Sequence, residues 1–179
     1  MEKNRQGLLH IYCGDGKGKT SAAVGMAVRA AGCGMKVLVI RFLKTENSGE
    51  VEVLRSIPGI TVPPCERTFG FVFRMTEEQK QEAALYYQSR FEAAAKEAVQ
   101  GQYDLLILDD LGTEMTTAFV QSALYQIVNG RMLSGRSTII STNLAPEELG
   151  HRYGAPILSR IEGAYQILPF FGEDIRTKQ

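Results

Sequence analysis

Histidine is nearly absent: only two occur among 179 residues, so neither a histidine-based catalytic triad nor a histidine zinc site is expected. Cysteine is equally sparse. Cys13, Cys33 and Cys65 are an odd three with no metal-ligand spacing, which argues against a disulfide framework and for a reduced, cytoplasmic protein. Cys13 ends an apolar run and is expected as a small buried residue rather than a nucleophile. Excess charge is missing too: 20 basic and 20 acidic side chains cancel, so no global field would recruit nucleic acid or a membrane surface. No apolar leader opens the chain, and no run approaches the roughly 20 residues of a membrane span. Repeats, low-complexity linkers and composition breaks are also lacking. A length of 179 residues then suits one α/β domain with a real core.

The apolar runs that are present alternate with helical patterns. Leu8–Cys13 reads as a buried strand, Ser21–Ala31 as a small-residue helix closed by Gly32 and Gly34, and Lys36–Phe42 as a second buried strand. Glu46–Glu50 is a polar loop, Val51–Ser56 a short helix, and Ile60–Val62 a candidate edge strand that Pro63 and Pro64 stop. Thr76-Glu77-Glu78-Gln79 has the form of a capping box for a long helix reaching Gln100. Its core-facing stripe is expected at Ala84, Tyr87, Phe91, Ala94, Ala95 and Ala98. Asp104–Asp110, Ser137–Asn143 and Tyr165–Leu168 are further strands, with helices over Thr117–Leu133 and from Pro146 between them. The pattern predicts an α/β fold with a mainly parallel, five-stranded sheet covered by helices on both faces.

The stretch between the first strand and the first helix carries the chemistry. Gly14-Asp15-Gly16-Lys17-Gly18-Lys19-Thr20-Ser21 is a phosphate-binding loop in the strand–loop–helix setting that such a loop requires. Its glycines let backbone N–H groups turn onto phosphate oxygens, and the helix N-terminus adds partial positive charge. Lys19 is expected on the terminal phosphates and Thr20 on Mg²⁺, so the ligand is a nucleoside triphosphate. The common pattern G-x-x-x-x-G-K-[ST] would begin with glycine at position 13, where Cys13 stands, and Lys17 is an extra charge inside the loop. Asp109 and Asp110 close an apolar strand in the manner of a Walker B segment. Asp109 is expected to hold the metal through its water shell, and Asp110 to orient or deprotonate a water.

The loop resembles that of corrinoid adenosyltransferases, typically G-N-G-K-G-K-T-T, with Asp15 here in place of Asn. The resemblance extends from about residue 5 to 103: Gly7–Tyr12, Val39–Lys44 with Arg41 where Gln is usual, Gly49-Glu50, and Gly70-Phe71-Val72-Phe73. It implies transfer of the 5′-deoxyadenosyl group of ATP to cobalt(I) of cobalamin or a cobyrinic acid derivative, with triphosphate leaving. It also implies that ATP lies reversed in the loop, that Lys17, Lys19 and Mg²⁺ stabilise the triphosphate, and that Phe71 and Phe73 crowd the lower face of the corrinoid. From the residues alone, Phe69, Phe71 and Phe73 also fit a strand alternating into the core.

From Tyr103 onward the chain resembles something else. Asp104–Glu114, Thr138–Leu144, Ile157–Gly163 and Leu168–Arg176 are similar to the Walker B, sensor 1, arginine-finger and carboxyl-terminal segments of bacterial helicase-loader ATPases of the AAA+ superfamily. That resemblance implies that Asn143 positions water or senses γ-phosphate. Arg160 would reach a neighbouring subunit's nucleotide, which demands a homo-oligomer, at its simplest a dimer. Helicase or DNA enters as partner only under this reading. Both families share a P-loop NTPase, RecA/AAA+-like fold, and both possess the strand at residues 103–110, which therefore marks a seam within one domain. Three functions follow: corrinoid adenosyltransferase, AAA+ ATPase, or a P-loop chimera that binds nucleotide without evolved activity.

Overall fold

Each buried run takes its place in one parallel sheet in the computed structural model, which describes residues 7–42, 46–65, 67, 69, 74–100 and 102–172. The chain runs β1 (Leu9–Cys13), α1 (Lys19–Gly32), β2 (Val37–Arg41), α2 (Gly49–Ser56), β3 (Ile60–Thr61), α3 (Glu77–Val99), β4 (Leu105–Leu111), α4 (Ala118–Leu133), β5 (Ser137–Thr142), α5 (Pro146–Tyr153), α6 (Ala155–Ala164) and β6 (Gln166–Pro169). The strand order is β3-β2-β4-β5-β1-β6, with every pair parallel. The expected five strands become six. The addition is β3, whose two residues Ile60 and Thr61 pair with Val37 and Leu38 before Pro63 and Pro64 remove the N–H donors a longer ladder needs.

Alternation along the buried strands divides the core. Val37 and Val39 of β2, with Leu105 and Ile107 of β4, pack on Ala23, Ala27 and Ala30 of α1. Leu38, Ile40, Leu106 and Leu108 point the other way, onto Phe91, Ala94 and Ala98 of α3 and Leu124 and Ile127 of α4. Helices on both faces are what continuous apolar strands require. α3 starts as its sequence implies: Thr76 Oγ1 accepts from Gln79 N at 3.2 Å, and Gln79 Oε1 accepts from Thr76 N at 3.0 Å. Its stripe is corrected by one position, since Ala83 is fully buried with Tyr87, Phe91, Ala94, Ala95 and Ala98 while Ala84 is half-buried. Position 83 lies one turn below Tyr87, on the axis of the stripe, whereas 84 is rotated off it.

Among the described residues two charged side chains, Arg131 and Glu114, lie wholly inside. Arg131, with no solvent exposure, donates to Tyr103 O at 2.7 Å, Asp104 O at 3.1 Å, Ser137 O at 2.6 Å, Thr138 Oγ1 at 3.4 Å and Ala98 O at 3.5 Å. Its five N–H groups thus meet five acceptors at the end of α3 and the starts of β4 and β5. At the opposite edge of the sheet, β1 sits between β5 and β6 with β4 one strand further out, so the carboxyl ends of these strands surround the loop that follows β1. Among the described residues no helix is long and apolar enough to cross a membrane.

Candidate phosphate-binding site

The loop from Gly14 to Gly18 turns on two left-handed glycines, Gly14 at φ 96° and Gly18 at φ 101°, a conformation that a Cβ penalises. α1 then begins at Lys19, two residues before the expected Ser21. The correction follows from Gly18, whose left-handed backbone ends the loop and lets the helix form at once, putting Lys19 and Thr20 in the first turn. Lys19 Nζ reaches back to Gly14 O at 2.5 Å and Gly16 O at 2.7 Å. Burial pushes the Lys19 pKa down and Lys17 adds to this, against the opposing pull of Asp110 and Asp15.

A second segment closes over this loop. Past β6, Phe170 N donates to Cys13 O at 2.8 Å and Gly16 N donates to Phe170 O at 3.0 Å. The Phe170 ring tilts against Tyr12 with centroids 5.4 Å apart. A Cβ on Gly16 would overlap the Phe170 carbonyl group. Gly16→Ala is therefore expected to unseat this strap and cost about 1–3 kcal/mol, the range for overpacking a tight contact. A urea denaturation midpoint equal to that of the wild type would show that the contact does not constrain position 16.

The acids at the end of β4 meet the loop from below. Asp109 is 2% exposed; its Oδ1 accepts from Ser141 Oγ at 2.5 Å and from Thr20 Oγ1 at 3.1 Å, with Oδ2 at 3.4 Å from the same threonine. Asp110 is left-handed, with φ 59°, alone among described non-glycine residues. Its N–H donates to Ser141 Oγ at 3.0 Å, and its carbonyl accepts from Thr113 Oγ1 at 2.6 Å. One buried hydroxyl, Ser141, thus fixes both acids. Just beyond, fully buried Glu114 accepts from Gly112 N at 2.9 Å and from the Tyr153 hydroxyl. Burial, then the Glu114 charge, drives the Tyr153 pKa well above its ordinary value.

The structure thus brings Gly14, Asp15, Gly16, Lys17, Gly18, Lys19, Thr20 and Ser21 into one loop and first turn, with Thr20 on Asp109 and Asp110 adjacent. Asn143 is exposed on the turn after β5. Arg160 lies elsewhere, bonded to Asn129 Oδ1 at 2.8 Å and Tyr125 OH at 2.6 Å, with its guanidinium 4.4 Å from the Tyr125 ring centroid. Phe71 and Phe73 fall outside the described residues. Sequence reasoning gave no role to Ser141, Arg41, Glu114 or Phe170. A serine interrupting a buried β-branched strand was the available signal for the first. Thr20 Oγ1 and the Asp109 carboxylate offer hard oxygen donors side by side, a set that suits Mg²⁺ sharing phosphate oxygens. No group of three His, Cys, Asp or Glu among the described residues would hold a metal alone.

A family model described as ATP:corrinoid adenosyltransferase BtuR/CobO/CobP matches residues 5–151, running through β4 and β5. A corrinoid adenosyltransferase of Pseudomonas aeruginosa is 28% identical over 120 residues, covering 66% of this chain and 58% of that protein. One from Escherichia coli (strain K12) is 31% identical over 110 residues, 61% of this chain and 54% of the relative. The match thus spans little more than half the length of these relatives. Among solved structures, the DnaC helicase loader aligns with TM-score 0.56 and 18% identity, covering 94% of this chain and 81% of its own. Domain III of the Thermotoga maritima replication initiation protein DnaA aligns with TM-score 0.55 and 17% identity over 99% of this chain and 60% of that chain. At such identities the likeness is one of fold alone: both halves of the chain lie in one α/β fold shared with these proteins.

Proposed function

The chain belongs to the ATP:corrinoid adenosyltransferase family, and we propose that it binds Mg-ATP in the Gly14–Ser21 loop and transfers the 5′-deoxyadenosyl group to cobalt(I) of a corrinoid. The observation that carries the reading is the conjunction of this loop with Thr20 on the buried Asp109 inside the matched segment. In the transfer the cobalt(I) electron pair attacks the ribose 5′ carbon. A cobalt–carbon bond forms, the carbon–oxygen bond breaks, and its electrons leave on triphosphate. No protein nucleophile is needed, in keeping with two histidines and unexceptional cysteines. Lys17 and Lys19, with the loop N–H groups, hold the triphosphate and stabilise the charge it gains. Thr20 and Asp109 would hold Mg²⁺, which supplies further positive charge to the leaving group. Asp110 would orient or deprotonate a water. Phe71 and Phe73 cover the corrinoid in this proposal, and the whole operates as a single domain.

A second reading, an AAA+-type ATPase, draws on one observation. Asp110 is set in a strained backbone by Ser141 and Thr113, as a residue aimed at a water would be. Asn143 would then sense γ-phosphate and Arg160 act across a homo-oligomer. Incubating Mg-ATP anaerobically with the protein, with and without reduced cobalamin, separates the readings. Triphosphate and adenosylcobalamin formed together, only with cobalamin present, is the expected result. ADP and phosphate released regardless of cobalamin would replace the transferase with a hydrolase. Binding without turnover would leave a nucleotide-binding chimera of two P-loop proteins.

A further inference from the structure

We infer that Arg41 is a built-in cation of the phosphate site, able to stand in for much of the charge that a divalent metal would bring. The inference rests on the reading that the loop binds ATP, and it starts from the strand register. Arg41 of β2 is the ladder partner of Asp109 of β4. Along both strands the residues two and four positions earlier, Val39 and Val37, Ile107 and Leu105, pack on the α1 side. Period-two alternation therefore turns Arg41 and Asp109 to that side as well, as a direct cross-strand pair. Each is only 2% exposed. Together with Thr20 and Glu50 they line one small cavity under α1.

Burying a guanidinium here is costly, because it keeps its proton and must be compensated. The structure supplies an elaborate holder. Arg41 Nη2 donates to Glu46 Oε1 at 3.1 Å, and Glu46 is itself fixed by Arg55 Nη1 at 2.5 Å and Cys65 N at 2.6 Å. The bonds from Arg55 and from the Cys65 amide hold the Glu46 carboxyl below the usual carboxylate range. Arg90 Nη2 caps the Arg41 carbonyl at 3.5 Å. An arginine serving only to pair with Glu46 could do so at the surface, as Arg55 does. Placement in the row with Asp109 adds something different: a permanent positive charge beside the carboxylate and threonine that a metal would use.

Two consequences follow from that charge. It cancels part of the negative potential that would attract Mg²⁺ to Thr20 and Asp109, and it attracts the triphosphate directly. Buried, it is screened little by salt. Nucleotide affinity should then depend only weakly on metal. The test is equilibrium binding of ATP to the full chain by calorimetry, in Mg²⁺ and in excess chelator. Wild type should lose less than about threefold in affinity on chelation, and Arg41→Gln, neutral but still able to bond Glu46, more than about tenfold, the order of effect of removing one buried charge. Arg41→Lys should behave as wild type. A wild-type loss above about tenfold, or equal ratios in wild type and Arg41→Gln, overturns the inference while leaving ATP binding intact. Absence of ATP binding to wild type even with Mg²⁺ would remove the phosphate-loop reading and this inference with it. Should Arg41→Gln not fold, the wild-type ratio decides on its own: a loss on chelation below about tenfold supports the inference and a larger one overturns it.

Discussion

Replacing Lys19 by alanine is expected to abolish the thermal stabilisation of the wild-type protein by Mg-ATP at a few multiples of its dissociation constant, while the unliganded variant melts close to wild type. The lysine is 6% exposed and donates to the loop carbonyls of Gly14 and Gly16, which water can satisfy at the rim of the loop. Little of the fold depends on it. Its value lies in the charge-assisted bonds it can make to phosphate, each about 1.5–3 kcal/mol. Losing two such bonds weakens binding by roughly two orders of magnitude or more. Nucleotide present at a few multiples of the wild-type dissociation constant would then leave the melting temperature unchanged. Titration calorimetry is the direct check. An affinity within about threefold of wild type would mean that the loop does not hold the triphosphate through Lys19.

Arg131→Leu is expected to cost the most stability of any substitution away from the loop. The guanidinium joins the end of α3, the start of β4 and the start of β5 through five bonds. Burial pushes its pKa down to about 10, with Arg136 adding to that, yet it stays charged at neutral pH. Leucine would fill part of the volume but remove the guanidinium's bonds to the carbonyls of Tyr103, Asp104 and Ser137 in a buried site, where Asp104 O keeps its bond from Ser137 N. The expected cost is about 3–5 kcal/mol, the range for breaking a buried charged network, or about 10 °C in melting temperature for a chain of this size. Lysine should recover less than half, since three donors on one atom cannot reproduce a planar fork. Urea denaturation followed by circular dichroism provides the measurement. Because the acceptors stand on both sides of Tyr103, where the two sequence resemblances meet, a single shifted transition is expected. Two separate transitions would contradict the proposal of one domain.

Local order explains what could be read before any coordinates. A phosphate loop is a contiguous device: strand, glycines, lysine and hydroxyl follow one another, so Gly14 to Thr20 announce themselves and the structure places them together. Asp109 and Asp110 are legible for the same reason, as acids ending an apolar strand. Thr76 and Gln79 form their capping box from residues three apart. Where neighbours are alike, the signal blurs. Ala83 and Ala84 are the same residue type, so periodicity could not choose between them. β3, a candidate edge strand at Ile60–Val62 in the sequence, is only two residues long, too short to be counted with the other strands. Asn143 and Arg160 come forward only through the helicase-loader resemblance; the fold leaves Asn143 exposed and sets Arg160 against Tyr125 and Asn129 of α4.

By itself the sequence determined the alternation of strands and helices, the parallel sheet with two covered faces, and the loop able to cradle phosphate. All of these arise from side chains within a few positions of one another, where backbone geometry alone decides which groups meet. Tertiary structure decided the rest. Strand register set Arg41 beside Asp109, the placement of β5 gave Ser141 both acids to hold, and the run of the chain past β6 brought Phe170 onto Gly16. Those contacts join residues far apart in the chain, and only closure of the core, with its choice among many compact arrangements, brings such residues within bonding distance.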